Sequence, residues 1–249
     1  MARFKYDGTW SLGQPENNRD LEKFFTIFND VYFNGVLTGY CQIDLLSVWS
    51  LRGRFGTRPP LGFCQPIRPG NETDPRFKFE ILSVHIVVSD HWKQKPATER
   101  IQSYLWILLH EMIHAIFFIF KCGCDYGCSQ KTLGGYRDVR LPGYHNIRWQ
   151  AVAYAIEEAD SGGPGSLGLN LKLKRERSFA WDVQQGGFNP PNYVVLRSLG
   201  LDIHEILQDI KWMRPSQPSE RWTDRGPLLA TNKCLRNDWI CADWNSDAL

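Results

Sequence analysis

The 249-residue chain has no apolar leader: "MARFKYDGTWSLGQ" contains nothing like the hydrophobic stretch of a secretory signal. That absence points to an intracellular protein, nuclear or cytoplasmic, and makes the sequon Asn71-Glu72-Thr73 incidental. A charge excess is missing too. Lys plus Arg number 29 against 27 Asp plus Glu, and a net +2 argues neither for nor against nucleic acid. There is no internal repeat, and beyond residue 160 no paired CxxC ribbon, only Cys234 and Cys241. An unbroken membrane span is also absent. Residues 101–120 have the required length, but Glu111 and two histidines sit at their middle, where a charge costs about 2.5–3.5 kcal/mol. A buried helix of a soluble protein is the better reading.

Seven cysteines is an odd number for a chain without an export signal, and thiols inside cells stay reduced. Three of them, Cys122, Cys124 and Cys128, cluster in "KCGCDYGC". A chain of this size can bury one large core or two small ones. Its local patterns include a helix, a group of strands and then further helices, and the fold expected is α+β.

In "DLEKFFTIFNDVYFNG" (20–35), Leu21, Phe24, Phe25, Phe28, Val31 and Tyr32 carry helical spacing, with Asp20 as N-cap and Gly35 as stop. "YCQIDLLSVW" is a predicted strand, "GRFGTRPPLGFCQP" a strand or hairpin, and "KFEILSVHIVVSD" one strand or a pair. A long helix is expected from Thr98 to Lys121, closed by Gly123, followed by a loop of roughly twenty residues. "HNIRWQAVAYAIEEAD" has apolar positions at Ile147, Val152, Tyr154 and Ile156 and is a second helix. "SGGPGSLG" is a hinge or linker, and "HEILQDIKWM" one further helix in a loop-rich, Trp-rich end.

The long helix carries the chemistry. His110 and His114 are four residues apart, so both imidazoles lie on one face, about 5–6 Å apart at Cβ. With Glu111 between them this is HExxH, the spacing of zinc peptidases. Two neutral imidazoles leave most of a zinc ion's charge available to acidify a water, and the carboxylate takes that water's proton as general base. With six histidines in the chain, a chance match is expected roughly 0.005 times. A catalytic zinc usually has a third protein ligand. Phe117 and Phe120 stand where a metzincin needs Gly and His. The remaining candidates are His145, Glu157 and Glu158, the three clustered cysteines, and His85 and His91. Spacing alone gives His145 a small lead.

The order of motifs resembles the SprT-like (Spartan-type) zinc metallopeptidase family over about residues 20–160. The residues that carry it are "FTIFNDVYFNGVL" (25–37), Gly62-Phe63-Cys64, "IVVS" (86–89), "LLHEMIHA" (108–115) and "GYHNIRWQAVAYAIEEA" from Gly143. The resemblance implies a zincin-like core: an N-terminal helix, a small mainly antiparallel sheet, the HExxH helix and a following helix bearing the third ligand. It implies Zn2+ held by His110, His114 and His145, Glu111 as catalytic base, and Trp149 as the aromatic residue beyond the third histidine. Tyr144 and Asn146 depart from it, since the family has Gly on both sides of that histidine. A cysteine-bearing loop before the third histidine is shared with some members; its thiols pair, bind a second metal or stay free.

The domains expected on this basis are an N-terminal extension (1–19), the metallopeptidase domain (20–160) and a C-terminal extension (161–249). The implied function is a zinc-dependent endopeptidase acting on protein substrates, extending to DNA-bound or DNA-crosslinked ones. The only basic run after residue 160, "LKLKRERS" with Lys172, Lys174, Arg175 and Arg177, fits a solvated strand or linker face better than a phosphate site. Tyr136, Arg137, Arg140 and Tyr144 are undifferentiated oxyanion candidates. The strand "VHIVVSD" could pair with an extended substrate through a free edge. The competing reading is a non-enzymatic, zinc-stabilised binding module for protein or chromatin, and a third is a secreted peptidase with disulfides in the Cys122–Cys128 loop.

Overall fold

A computed structural model of the chain describes residues 17–56, 59–67, 83–91, 95–120, 145–161, 168–184 and 193–213. The architecture is α+β, with seven helices and one three-stranded sheet among these residues. The chain divides into two compact units, residues 1–137 with 152–173, and residues 138–151 with 174–249.

The first unit opens with α1 (Asn18–Phe33). Leu21, Phe24, Phe25 and Phe28 are buried, as their spacing requires, whereas Val31 is exposed. Asn17, not Asp20, is the cap: its Oδ1 accepts the Asp20 N–H at 3.0 Å. Asn34 ends the helix in the left-handed region, and Gly35 follows it there, donating its N–H to the Asn29 carbonyl. Buried Asn29 locks that turn, accepting from Leu37 N–H and donating to Thr38 Oγ1.

The sheet comprises β1 (Cys41–Leu46), β2 (Gly62–Ile67) and β3 (Ser83–Ser89), in the order β1-β3-β2. β1 runs parallel to β3 and β2 antiparallel, so the sheet is mixed rather than mainly antiparallel. β3 is flanked on both sides, and Val84, Ile86, Val87 and Val88 are fully buried. The expected free edge along "VHIVVSD" is therefore absent.

Between β1 and β2 the chain forms α2 (Val48–Phe55), where a strand or hairpin was expected. Ser47 caps it through the Ser50 N–H, and Asp90 accepts the Val48 N–H at 2.8 Å. The aromatic residues that suggested a strand, Trp49 and Phe55, face solvent, and Leu51 alone of this helix is buried.

Helix α3 (Ala97–Ile119) presses its middle into the core, with Tyr104, Leu105 and every residue from Ile107 to Ala115 buried. It is the one helix among the described residues long and apolar enough to cross a membrane by composition, and 61% of its apolar window is buried within the protein. Its contact with β2 requires the Gly62 backbone to come close. A Cβ there would lie 2.5 Å from Ile107 Cγ2, 3.0 Å from the Val87 carbonyl and 3.1 Å from Glu111 Oε1.

α4 (Ile147–Asp160) buries Trp149, Ala153 and Ile156, a stripe shifted from the expected one, and leaves Ile147 exposed. Its last turn anchors the chain that returns after the glycine-rich stretch. Asp160 accepts the Leu169 and Leu171 N–H groups, and Glu157 Oε1 accepts the Leu173 N–H at 2.6 Å. "LKLKRERS" is thus only partly solvated: Lys172, Lys174 and Arg177 are exposed, but Leu171, Leu173 and Arg175 are buried.

The second unit contains α5 (Arg175–Gln184), α6 (Tyr193–Ser198) and α7 (Ile203–Trp212). Phe179, Ala180, Val183, Leu196, Leu201 and Ile206 form its core. α5 is pinned at both ends, by Arg175 donating to the Leu199 carbonyl and by Gln184 donating to the Ile210 and Met213 carbonyls. Of these three helices only α7 matches a sequence expectation.

Candidate metal centre

The i, i+4 geometry of α3 turns His110 and His114 onto one face, with ring centroids 5.0 Å apart. Their Nε2 atoms stand 3.2 Å from each other. Two ligands of a tetrahedral zinc, each bonded at roughly 2.0–2.1 Å, are separated by about 3.3–3.4 Å. That near-equality is the spacing of two donors around a common ion. His110 directs its other nitrogen, Nδ1, at the Leu173 carbonyl oxygen 3.3 Å away, which suits an Nδ1–H tautomer with Nε2 left to ligate. The acceptor is itself held in place, since the same residue's N–H is fixed by Glu157.

His145 completes the set. Among the described residues, His110, His114 and His145 form a group able to hold a metal ion, with one donor atom from each lying within 4.8 Å of the others. His145 lies two residues before Ile147, the first residue of α4. Asn146, between them, caps that helix by accepting the Arg148 and Trp149 N–H groups. Trp149 packs edge-on against the imidazole at a centroid distance of 4.7 Å and is fully buried.

Glu111 is buried beside the two α3 histidines, and burial pushes its carboxyl up to about 8. Cys64 lies near enough for that carboxylate to matter. Its thiol is raised well above the usual range by burial first, then by Glu111 and by Cys41.

The remaining third-ligand candidates have other employment. His85 Nε2 pairs with Asp44 Oδ2 at 2.7 Å, Glu157 anchors Leu173, and Glu158 and His91 are exposed. Cys122, Cys124, Cys128, Tyr136, Arg137, Arg140 and Tyr144 lie outside the described residues. One residue escaped the sequence reading entirely. Asp182, on α5, accepts the His145 backbone N–H through Oδ2 at 2.7 Å and faces Nδ1 through Oδ1 at 3.2 Å. No local pattern marks it, because its partner is 37 positions away.

Comparison with protein-family models, with curated proteins and with solved structures gives no match for this chain.

Proposed function

We propose that the chain is a zinc-dependent endopeptidase of SprT-like type. The observation that carries this reading is the convergence of three imidazoles with a buried glutamate next to the first of them. The donor set fits zinc: three neutral nitrogen ligands leave a position for water or substrate, as catalytic zinc sites do. A zinc ion held there supplies Lewis acidity, lowering the pKa of a bound water towards about 7 and polarising the peptide carbonyl.

The chain's own residues do the rest. His110, His114 and His145 hold the ion, and the contacts to Leu173 and Asp182 keep two of them in one orientation. Glu111 takes a proton from the attacking water and passes it to the departing amine nitrogen. A carboxyl whose burial has raised its pKa towards neutrality is suited to both halves of that exchange. Extended substrate pairing is assigned to β2, which has a neighbour on one side only among the described strands and begins at Gly62, against Glu111. The run Lys172, Lys174, Arg175 and Arg177 adds no support for a DNA-bound substrate, since a solvated face was its better reading and Arg175 is buried.

The test is metal content together with cleavage of a generic unfolded protein, with and without single-stranded DNA. One zinc per chain and cleavage are expected. Cleavage that ignores DNA keeps the peptidase and removes the DNA-directed substrate. Zinc without cleavage favours a zinc-stabilised binding module, and absence of both metal and cleavage sinks the proposal.

A further inference from the structure

The structure assigns Asp182 a role in the metal site: it is the positioning carboxylate that fixes the His145 imidazole with Nδ1 protonated and Nε2 free to ligate. This inference rests on the reading that His145 is a metal ligand.

The geometry has three components. First, the two oxygens of Asp182 engage two groups of the same residue, the backbone N–H at 2.7 Å and the ring Nδ1 at 3.2 Å. A carboxylate on the backbone sets where His145 begins, and one on the ring sets its rotation. Together they leave the imidazole little freedom, and Trp149 closes one side. Second, Asp182 is 1% exposed, so water competes poorly for either bond. Third, the carboxylate stands on a rigid support. α5 buries Phe179, Ala180 and Val183 in the core of its unit and is tied at both ends through Arg175 and Gln184. Outer partners of this kind fix the tautomer of a ligating histidine and raise its basicity, and removing them typically lowers metal affinity about 10–100-fold.

His110 has the milder version of the same arrangement, with a neutral carbonyl oxygen facing Nδ1. The difference matters chemically. A carbonyl fixes orientation, whereas a carboxylate also strengthens the imidazole as a donor, so His145 should be the more affected ligand when its partner is lost.

The decisive variant is Asp182→Asn, which keeps the shape and one acceptor oxygen but removes the charge. In the full-length protein, zinc affinity is measured by competition with a chromophoric chelator. Cobalt(II) absorption is recorded alongside it, and helical signal and Tm are followed in the metal-free state. The expected result is a 10–100-fold loss of zinc affinity and an altered cobalt spectrum, with the metal-free Tm close to wild type. Unchanged affinity and spectrum would reduce Asp182 to a structural acceptor and overturn the inference. If the variant does not fold, the tautomer of His145 in zinc-loaded wild type decides, read from long-range nitrogen–proton correlations. Nε2 ligated with Nδ1–H supports the role, and Nδ1 ligated overturns it. Wild type that binds no zinc removes both the inference and the reading beneath it. Zinc-binding wild type with an indifferent Asp182→Asn removes the inference alone.

Discussion

Glu111 and Asp182 are both buried carboxylates, 7% and 1% exposed, and each stands beside a histidine of the candidate site. Glu111 follows its histidine directly in α3, so helix geometry alone sets the relation between them. Asp182 reaches its histidine from another helix, through a contact that depends on the packing of α5. The first belongs to a motif and was visible in the sequence. The second belongs to a fold and was not. The two also differ in setting: burial raises the Glu111 carboxyl, while Asp182 accepts the His145 backbone N–H and faces its ring Nδ1.

The surroundings of each carboxylate can be perturbed separately. On the Glu111 side the largest effect is expected at Gly62. In Gly62→Ala the new methyl must displace Ile107 or the β3 backbone, and overpacking of this sort costs about 1–3 kcal/mol. Urea unfolding should show the loss, and a midpoint equal to wild type would mean that β2 and α3 do not meet as closely as described. On the His145 side, Asn146→Ala removes the cap of α4 and should cost about 1 kcal/mol by the same measurement. An unchanged midpoint would refute the capping role.

The smallest effect concerns reactivity rather than stability. Burial pushes the Cys41 thiol up to about 12 and raises Cys64 well above its usual range. A raised thiol pKa means less thiolate at pH 8, so alkylation of both should be about ten-fold or more slower in the native protein than in urea, quickening only towards strongly alkaline pH. Equal rates in the two conditions, measured by peptide mass spectrometry, would contradict the half-buried setting of both thiols.

How far the fold was legible follows the same division between local and distant determinants. α1, α3 and α7 were readable because their apolar residues recur at helical spacing, whereas α4 was expected in the right place but with a different buried stripe from the observed Trp149, Ala153 and Ile156. α2 was misread because Val48, Trp49 and Phe55 favour strands in general, and nothing local reveals that two of them point to solvent. The parallel pairing of β1 with β3 depends on the crossover between them, which residue composition does not encode. α5 was missed for a more specific reason. Its buried set includes Arg175 and Asp182 beside Phe179, Ala180 and Val183, so polarity and burial do not coincide along it. His110, Glu111 and His114 could be placed from spacing alone. His145 was one candidate among several until the family resemblance favoured it, and the structure brings it within reach of the other two.

The claim that the site is a peptidase centre rests most directly on Glu111. The telling measurement is cleavage of an unfolded protein by zinc-loaded wild type and by Glu111→Gln carrying the same zinc content, fragments being counted by mass spectrometry. The account predicts chelator-sensitive cleavage by wild type and a rate at least about 100-fold lower in the variant, the usual range for removing a general base. Equal cleavage by the two proteins, or none by zinc-loaded wild type, would contradict it.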